Sequence, residues 1–409
     1  MRILSCVSSL ILAACVVDLA TAAGKGEPTD GAAGASKQAT EASEQQIQAW
    51  IEQLGAAAYR DRESASGRLI RVGLAATEAL TKGLEHPDPE VRLRCRQILD
   101  DVRRGARDRI YRSFLDSDAD DEKLLLGGWK AFRDTVGDSR QARRLFVAMH
   151  REEREALEQF GDTKKLNAAF HRRMTEIQES LTRRVPGVPV APQPVELSTA
   201  ATMLLIAGQD DVSLDNVNAY YLVYQSEVNK HLTGGGSHRE IVRKLLGRFV
   251  ARELDGTTAY YNFNLAVRYD FPEALPPALK FLAKEGVPAQ YKMYALMVVG
   301  KFGKSSHLDA VEPLMSDKTQ LYSRRIRMGA NTITMTTQLR DIALATSIHV
   351  RGGKLTDFGF TNARAHAYMP YYPYHLGFQS ESDRQAAAKK YEDWRPERSS
   401  EKPTPPATE

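Results

Sequence analysis

The fold is decided by two related stretches of sequence, RESASGRL (residues 62–69) and RLRCRQIL (residues 92–99). Each has an arginine, a small residue three positions later and a leucine four positions after that, and the second begins 30 residues after the first. Residues four positions apart lie on one face of an α-helix. The pattern therefore predicts two helices that turn Ala65 with Leu69, and Cys95 with Leu99, towards a core.

The segment between the two copies predicts how these helices are connected. Residues 74–84 carry apolar side chains at helical spacing, and HPDP at residues 86–89 ends the helix because proline cannot continue one. Helix, short turn and helix, with small residues where helices cross, is the unit of an α-solenoid. The segment resembles HEAT-like repeats, in which a Pro-Asp-Pro-Glu-Val-Arg run opens the second helix as Pro87 to Arg92 does here. The resemblance implies an all-α fold, an α-solenoid of HEAT-like helix pairs with additional irregular helices.

Weaker copies of the pattern return in the second half of the chain. Residues 292–299 restate it with lysine, alanine and valine, and residues 340–343 restate its first half. Residues 129–153 and 340–378 also resemble parts of uncharacterised exported bacterial proteins that contain HEAT-like repeats. The first of these resemblances is carried by Trp129, Phe132, Val136, Gly137, Asp138, Leu145, Phe146 and Met149. No activity follows from either resemblance.

Length and charge narrow the class of protein. The chain has 409 residues, of which 42% are apolar, so it can fill the cores of two or three domains. Its 56 basic and 52 acidic residues leave a net charge of only +4 and are well mixed along the sequence. This balance favours a salt-bridged surface over a basic stripe, so we expect no nucleic-acid partner.

The N-terminal residues have the pattern of a secretory leader. Arg2 precedes an apolar run at residues 3–17, and ATA at residues 20–22 is an A-x-A cleavage signal. We predict a signal peptide at residues 1–22 and an exported protein, periplasmic or secreted. The apolar run is too short for a transmembrane span. LAAC at residues 12–15 resembles a bacterial lipobox, which leaves a lipid anchor on Cys15 as the alternative.

Composition divides the rest of the chain. The predicted segments are a disordered tether at 23–44, HEAT-like repeats with a helical segment at 45–185, a Pro-rich linker at 186–194, a C-terminal helical domain at 195–395 and a disordered tail at 396–409. Cleavage of the leader leaves Cys95 as the single cysteine, so no internal disulfide can form. Because Cys95 takes the place of a helix-crossing alanine, we predict a buried and unreactive thiol.

Patterns that would indicate a cofactor or catalytic site are absent or incomplete. None of the nine histidines forms an H-E-x-x-H pair, although His366 and His375 flank an aromatic cluster. DSDAD at residues 116–120 begins like a calcium loop but lacks the glycine and glutamate that complete one. The three glycines at 234–236 are not followed by Lys-Ser or Lys-Thr, so no phosphate loop is indicated. We predict no cofactor and no metal.

The most unusual composition is YMPYYPYH at residues 368–375. Four tyrosines and two prolines in eight residues cannot form a regular helix. The favoured interpretation is a loop whose rings cover the exposed end of a solenoid core. The alternative is a recognition loop, because tyrosine offers a large area and a hydroxyl at low entropic cost. The candidate interaction residues are Tyr368, Tyr371, Tyr372, Tyr374 and His375.

Two functional hypotheses follow. The first is an exported, non-enzymatic scaffold that binds an unidentified protein partner on an extended helical surface. The second is an enzyme, a lyase or hydrolase, on a helical-repeat scaffold, because HEAT-like repeats also occur in a bilin lyase family. A pocket in which histidines and carboxylates converge would favour the enzyme.

Overall fold

The protein is mostly helical, as the sequence predicts. A computed structural model describes residues 42–117, 126–182, 195–214, 220–224, 227–328 and 331–395. These ranges contain seventeen α-helices, several short 3-10 helices and one two-stranded sheet. They form two compact units, divided between Arg107 and Asp108 inside a long helix. No helix in the described part of the chain is long and apolar enough to cross a membrane.

The first unit contains the sequence repeat. Its helices are α1 (Glu44–Gln53), α2 (Tyr59–Val72), α3 (Thr77–Lys82) and the first part of α4 (Pro89–Asp116), with 3-10 turns at Gly73–Ala76 and Gly83–Glu85. Ser43 caps α1 in a capping box with Gln46. The predicted core residues Ala65, Leu69 and Cys95 are all buried. The end of the predicted tether is therefore ordered, because its last residue, Glu44, begins α1.

The repeated arginines have matching environments. Arg62 donates from Nη1 to the carbonyl oxygens six and five residues before it, at 2.8 and 3.0 Å. Arg92 makes the same pair of bonds, at 2.7 and 2.8 Å, to carbonyl oxygens of the HPDP turn. Each arginine thus ties its helix to the turn that precedes it.

The second unit holds the other helices and the sheet. Its helices are α5 (Trp129–Val136), α6 (Arg140–Glu152), α7 (Arg154–Leu157), α8 (Thr163–Thr182), α9 (Leu197–Ala207), α10 (Tyr220–Tyr224), α11 (Glu227–Gly234), α12 (Arg239–Val250), α13 (Gly256–Tyr269), α14 (Leu275–Ala283), α15 (Ala289–Phe302), α16 (Leu339–Val350) and α17 (Glu381–Trp394). Short 3-10 helices lie at Pro272–Ala274, Ser305–Ala310, Glu312–Ser316, Leu355–Phe358 and Pro373–His375. In this unit α13 packs on α15, and α15 packs on α16.

The apolar stripes of α5 and α6 form an aromatic centre in this unit. Trp129, Phe132 and Phe146 are buried, and their ring centroids lie 5.1 to 5.8 Å apart. The ring of Phe114 meets Trp129 edge-on at 4.9 Å. Because both stripes follow helical spacing, the sequence predicts this core correctly.

Two charged residues at α6, Arg143 and Glu153, are buried. Arg143 forms a paired interaction with Asp138 at 2.6 and 2.8 Å and donates to the carbonyl oxygens of Phe114 and Ser117. Glu153 accepts hydrogen bonds from Arg173 and from the hydroxyl of Thr199. The charge of Arg143 is compensated by nearby Asp138, whereas its carbonyl partners and both partners of Glu153 lie 20 or more residues away, which helical periodicity cannot reveal.

The described residues also include one β-hairpin, which the sequence analysis does not predict. β1 (Gln320–Met328) and β2 (Asn331–Gln338) form an antiparallel hairpin. Met335 and Thr337 alternate with the more exposed Thr334 and Thr336, which is the period of a strand with one buried face. The threonines and isoleucines of this segment also favour strands over helices.

The helix α12 begins without the capping box that the spacing of Ser237 and Glu240 would allow. The helix is preceded by His238 and has no side-chain cap. The Ser237 hydroxyl pairs with the ring of His238 at 3.3 Å, while its carbonyl accepts from Gln141. A local sequence match is overruled here by a contact with α6.

Several predicted segments lie outside the described residues. They are the signal peptide at 1–22 with its alternative lipid anchor, the linker at 186–194, the tail at 396–409, and most of the calcium-like DSDAD segment. The linker thus stays a prediction, and helices from either side of it, α6 and α9, pack together. The solenoid arrangement and the domain bounds also stay predictions.

Candidate functional site

One tyrosine anchors the loop at residues 368–375 in the core. The side chain of Tyr371 is 1% exposed, and its hydroxyl forms a hydrogen bond with the Thr346 hydroxyl of α16. Its ring centroid lies 5.8 Å from that of His349. The helix α15 has Gly300 here, and an added Cβ would lie 3.1 Å from Cγ of Pro370 and 3.4 Å from the Tyr371 hydroxyl, so the loop packs closely on this glycine. Burial raises the pKa of Tyr371.

Hydrogen bonds to the backbone hold both ends of the same loop. Lys301 donates from Nζ to the carbonyl oxygen of Tyr368 at 2.8 Å. Beyond the loop, Phe378 forms a bridge to β2, exchanging backbone hydrogen bonds with Thr336 at 3.0 and 3.1 Å. Two prolines between these points further restrict the chain. The loop therefore presents its remaining side chains from a fixed backbone.

Two tyrosines of the loop are directed outwards. Tyr372 and Tyr374 are each 41% exposed. The ring of Tyr372 lies between those of His366 and His375, at centroid distances of 4.1 and 5.4 Å. Tyr374 meets Tyr322 of β1 edge-on at 5.4 Å.

We name this surface the tyrosine patch and define it by Tyr322, Arg324, His366, Tyr372, Tyr374 and His375.

The patch contains a guanidinium, that of Arg324, with no carboxylate partner in the part of the chain that the structure describes. Arg324 lies with Nη1 3.2 Å from Nδ1 of His375, and its guanidinium is 5.6 Å from the centroid of Tyr374. Its buried Nε has no hydrogen-bond partner among the described residues. Burial, followed by the positive charges of Arg324 and Arg364, lowers the pKa of His375. The neutral ring can therefore accept a hydrogen bond from Arg324.

The segments that build the patch contain no acidic residue. Residues 318–340 and 358–380 include one lysine and five arginines but neither aspartate nor glutamate, although the whole chain has almost as many acids as bases. The described residues place no carboxylate within salt-bridge distance of Arg324 or Arg364. Among the residues that define the patch, Arg324 carries a positive charge, and its guanidinium is therefore available to an anionic group from outside.

The candidate residues from the sequence separate into three groups. Tyr372, Tyr374 and His375 come together on the surface, whereas Tyr371 belongs to the core. Tyr368 is half-buried beside His366, at a centroid distance of 4.3 Å. Sequence reasoning missed Tyr322 and Arg324, and the available signal was the acid-free composition of both segments.

One large cleft in the second unit lacks the histidine and cysteine side chains that commonly act as acid–base or nucleophilic catalysts. A cleft of about 880 Å³ is lined by residues of α5 and α12 and contains no histidine or cysteine in its walls. Lys130 and Asp134 pair with each other there at 3.0 Å, and Lys244 donates to the Val136 carbonyl at 2.9 Å. In the described ranges, no group of three or more His, Cys, Asp or Glu residues is arranged to hold a metal ion.

Comparisons with known proteins assign no family. No protein-family model matches the chain, and no curated protein matches it. The candidate site therefore rests on geometry and charge alone.

Proposed function

We propose that the protein is an exported, non-enzymatic interaction scaffold that docks an acidic surface of a partner protein on the tyrosine patch. One observation carries this proposal: the loop fixes Tyr371 in the core and holds Tyr372 and Tyr374 half-exposed beside Arg324, which has no carboxylate partner among the described residues. Exposed tyrosine rings on a rigid backbone give large contact area at low entropic cost. An arginine without a carboxylate favours a partner that supplies one.

The scaffold in this proposal is a HEAT-like α-solenoid. Its support is the 30-residue spacing of the sequence pattern and the matching hydrogen bonds of Arg62 and Arg92 to the preceding turns. Repeated helix pairs of this kind form extended surfaces on which partners bind.

Export is the second part of the proposal and is supported by the leader pattern at residues 1–22. N-terminal sequencing of the native protein is expected to begin at Ala23. A lipid-modified Cys15 would replace this with membrane anchoring, and an intact Met1 would contradict both.

Docking is tested by measuring how the partner's affinity depends on the patch. The full-length mature protein is used to capture partners from the exported fraction of the producing cells, and each captured protein is titrated against variants. Tyr372→Ala with Tyr374→Ala is expected to weaken binding by at least about tenfold, as for aromatic residues at interface centres. Tyr59→Ala is the matched control, because Tyr59 is 65% exposed outside the patch. Equal affinities for all three proteins would contradict docking at this site.

A further inference from the structure

The outer edge of β2 is unpaired towards the tip of the hairpin. Thr336 exchanges both backbone hydrogen bonds with Phe378, so its N–H and C=O point away from β1. Because strand residues alternate, Thr334 and Thr332 direct their N–H and C=O groups to the same side. The chain turns away after Phe378, where Ser380 caps α17. Within the described ranges no residue bonds to Thr334 or Thr332 along this edge.

A groove runs beside that edge, and its lining includes Asp383 and Lys390 as well as apolar residues. Its volume is about 570 Å³, and its walls come from β2, the Phe358 turn and α17. Met335, Phe358 and Phe378 give it an apolar floor. A strand paired with β2 would direct every second side chain to this side of the sheet. The groove can therefore accept alternate apolar side chains of such a strand.

The opposite face of the hairpin is cationic. Arg325 lies opposite Thr334 and Arg327 lies opposite Thr332, so these side chains project from the exposed face of the sheet. The described residues offer neither arginine a carboxylate within salt-bridge distance. The other side chains of an added strand would lie on this face, beside Thr332 and Thr334 and about 10 Å from β1. Long acidic side chains can extend over the threonines towards Arg325 and Arg327, so acidic groups are favoured there.

We propose that the open edge of β2 binds an extended segment of a partner protein as a third strand, with apolar side chains in the groove and acidic side chains on the arginine face. This site is separate from the tyrosine patch and rests on backbone hydrogen bonding. Addition of a strand to a sheet edge is a general mode of peptide recognition. A second copy of the hairpin is disfavoured as the occupant because its β2, NTITMTTQ at residues 331–338, has no acidic side chain to place on the arginine face.

The test uses a labelled probe with this alternation, acetyl-Glu-Val-Glu-Ile-Glu-Val-Glu-amide, and the full-length protein. Fluorescence anisotropy measures its affinity, and hydrogen exchange measures protection of the Thr332 and Thr334 amides. We expect binding with protection of both amides. A peptide of the same composition with its three apolar residues together is expected to bind at least about tenfold more weakly.

Two matched variants locate the site. Thr334→Pro removes an N–H from the open edge of β2, and Ser323→Pro removes an outward N–H from the other edge of the hairpin. Only Thr334→Pro is expected to weaken probe binding, by about tenfold. Ala386→Gln, on the exposed face of α17, narrows the groove without touching the core and is expected to weaken binding as well.

Several results would overturn the proposal. The two peptides could bind equally well, or the probe could bind without protecting the Thr332 and Thr334 amides. Both proline variants could lose the same amount of probe affinity. The protein could also form a dimer that Thr334→Pro abolishes. The variant Tyr372→Ala with Tyr374→Ala is expected to bind the probe as the wild type does. Unchanged probe binding with lost partner binding would therefore separate this site from the tyrosine patch, whereas lost probe binding would contradict a second site.

Discussion

Truncation of Tyr371 is expected to destabilise the second unit far more than truncation of its neighbour Tyr372. Tyr371→Ala removes a fully buried ring and the partner of the Thr346 hydroxyl, and leaves a cavity against Gly300 and His349. Buried aromatic residues replaced by alanine typically cost about 3–5 kcal/mol. Tyr372→Ala acts on a ring that is 41% exposed and is expected to cost less than about 0.5 kcal/mol.

A third variant separates the contribution of the Tyr371 hydroxyl to stability from the contribution of its ring. Tyr371→Phe keeps the packing and removes only the hydrogen bond to Thr346, whose own hydroxyl still donates to the carbonyl oxygen of Ile342 at 2.7 Å. The expected cost is about 1 kcal/mol, the usual net value of such a bond. The wild type and Tyr372→Ala should therefore be the most stable proteins. Tyr371→Phe should be less stable, and Tyr371→Ala should be the least stable.

Thermal unfolding followed by circular dichroism measures this order. At about 2 °C per kcal/mol, the lower value for large domains, Tyr371→Ala should lower Tm by roughly 6–10 °C. Tyr372→Ala should melt within about 1 °C of the wild type. An unchanged melt for Tyr371→Ala, or an equal loss for Tyr372→Ala, would refute the division of the loop into an anchor and an exposed surface.

Three further predictions concern buried groups. Burial raises the pKa of Cys95 to about 11, so a thiol reagent at pH 8 should label the native protein far more slowly than the unfolded protein. Arg143→Met leaves Asp138 and two carbonyl oxygens without their buried partner, and urea unfolding should show a loss of about 3 kcal/mol. Burial lowers the pKa of His150 below its ordinary value of 6.5, so the unfolded chain binds the proton first. The free energy of unfolding should therefore fall as the pH decreases below 6.5, and His150→Gln should reduce this slope.

Each of these predictions has an outcome that contradicts it. Rapid labelling of native Cys95 would mean that the thiol is accessible. Wild-type stability of Arg143→Met would place the guanidinium in solvent. The same pH slope with and without His150 would show that this histidine is protonated equally in both states.

Local patterns were sufficient to predict much of the helical structure. The apolar run gives α9 at Leu197–Ala207, and the glycine at 303 ends α15, because hydrophobic spacing and chain breakers act over a few residues. The buried positions of Ala65 and Cys95 follow from the same spacing. These features depend on residues that are close together in the sequence, so one amino-acid sequence is enough to predict them.

Contacts between distant residues account for what the sequence did not reveal. Arg143 is buried because Asp138 and the end of α4 compensate its charge, and Tyr371 is buried because Gly300 and Thr346 provide its site. A row of tyrosines alone does not indicate which rings will find such sites. The hairpin is not evident from the sequence because its alternating side chains lie in a short segment between two longer helical patterns.

Cross-linking from the patch tests the central proposal most directly. A photoreactive phenylalanine analogue is placed at position 372 in the full-length protein inside the producing cells, with position 59 as the exposed control. After irradiation, we expect one defined cross-linked partner from position 372, with acidic residues at the point of attachment, and none of that species from position 59. The same species from both positions, or none from position 372, would contradict docking on the tyrosine patch.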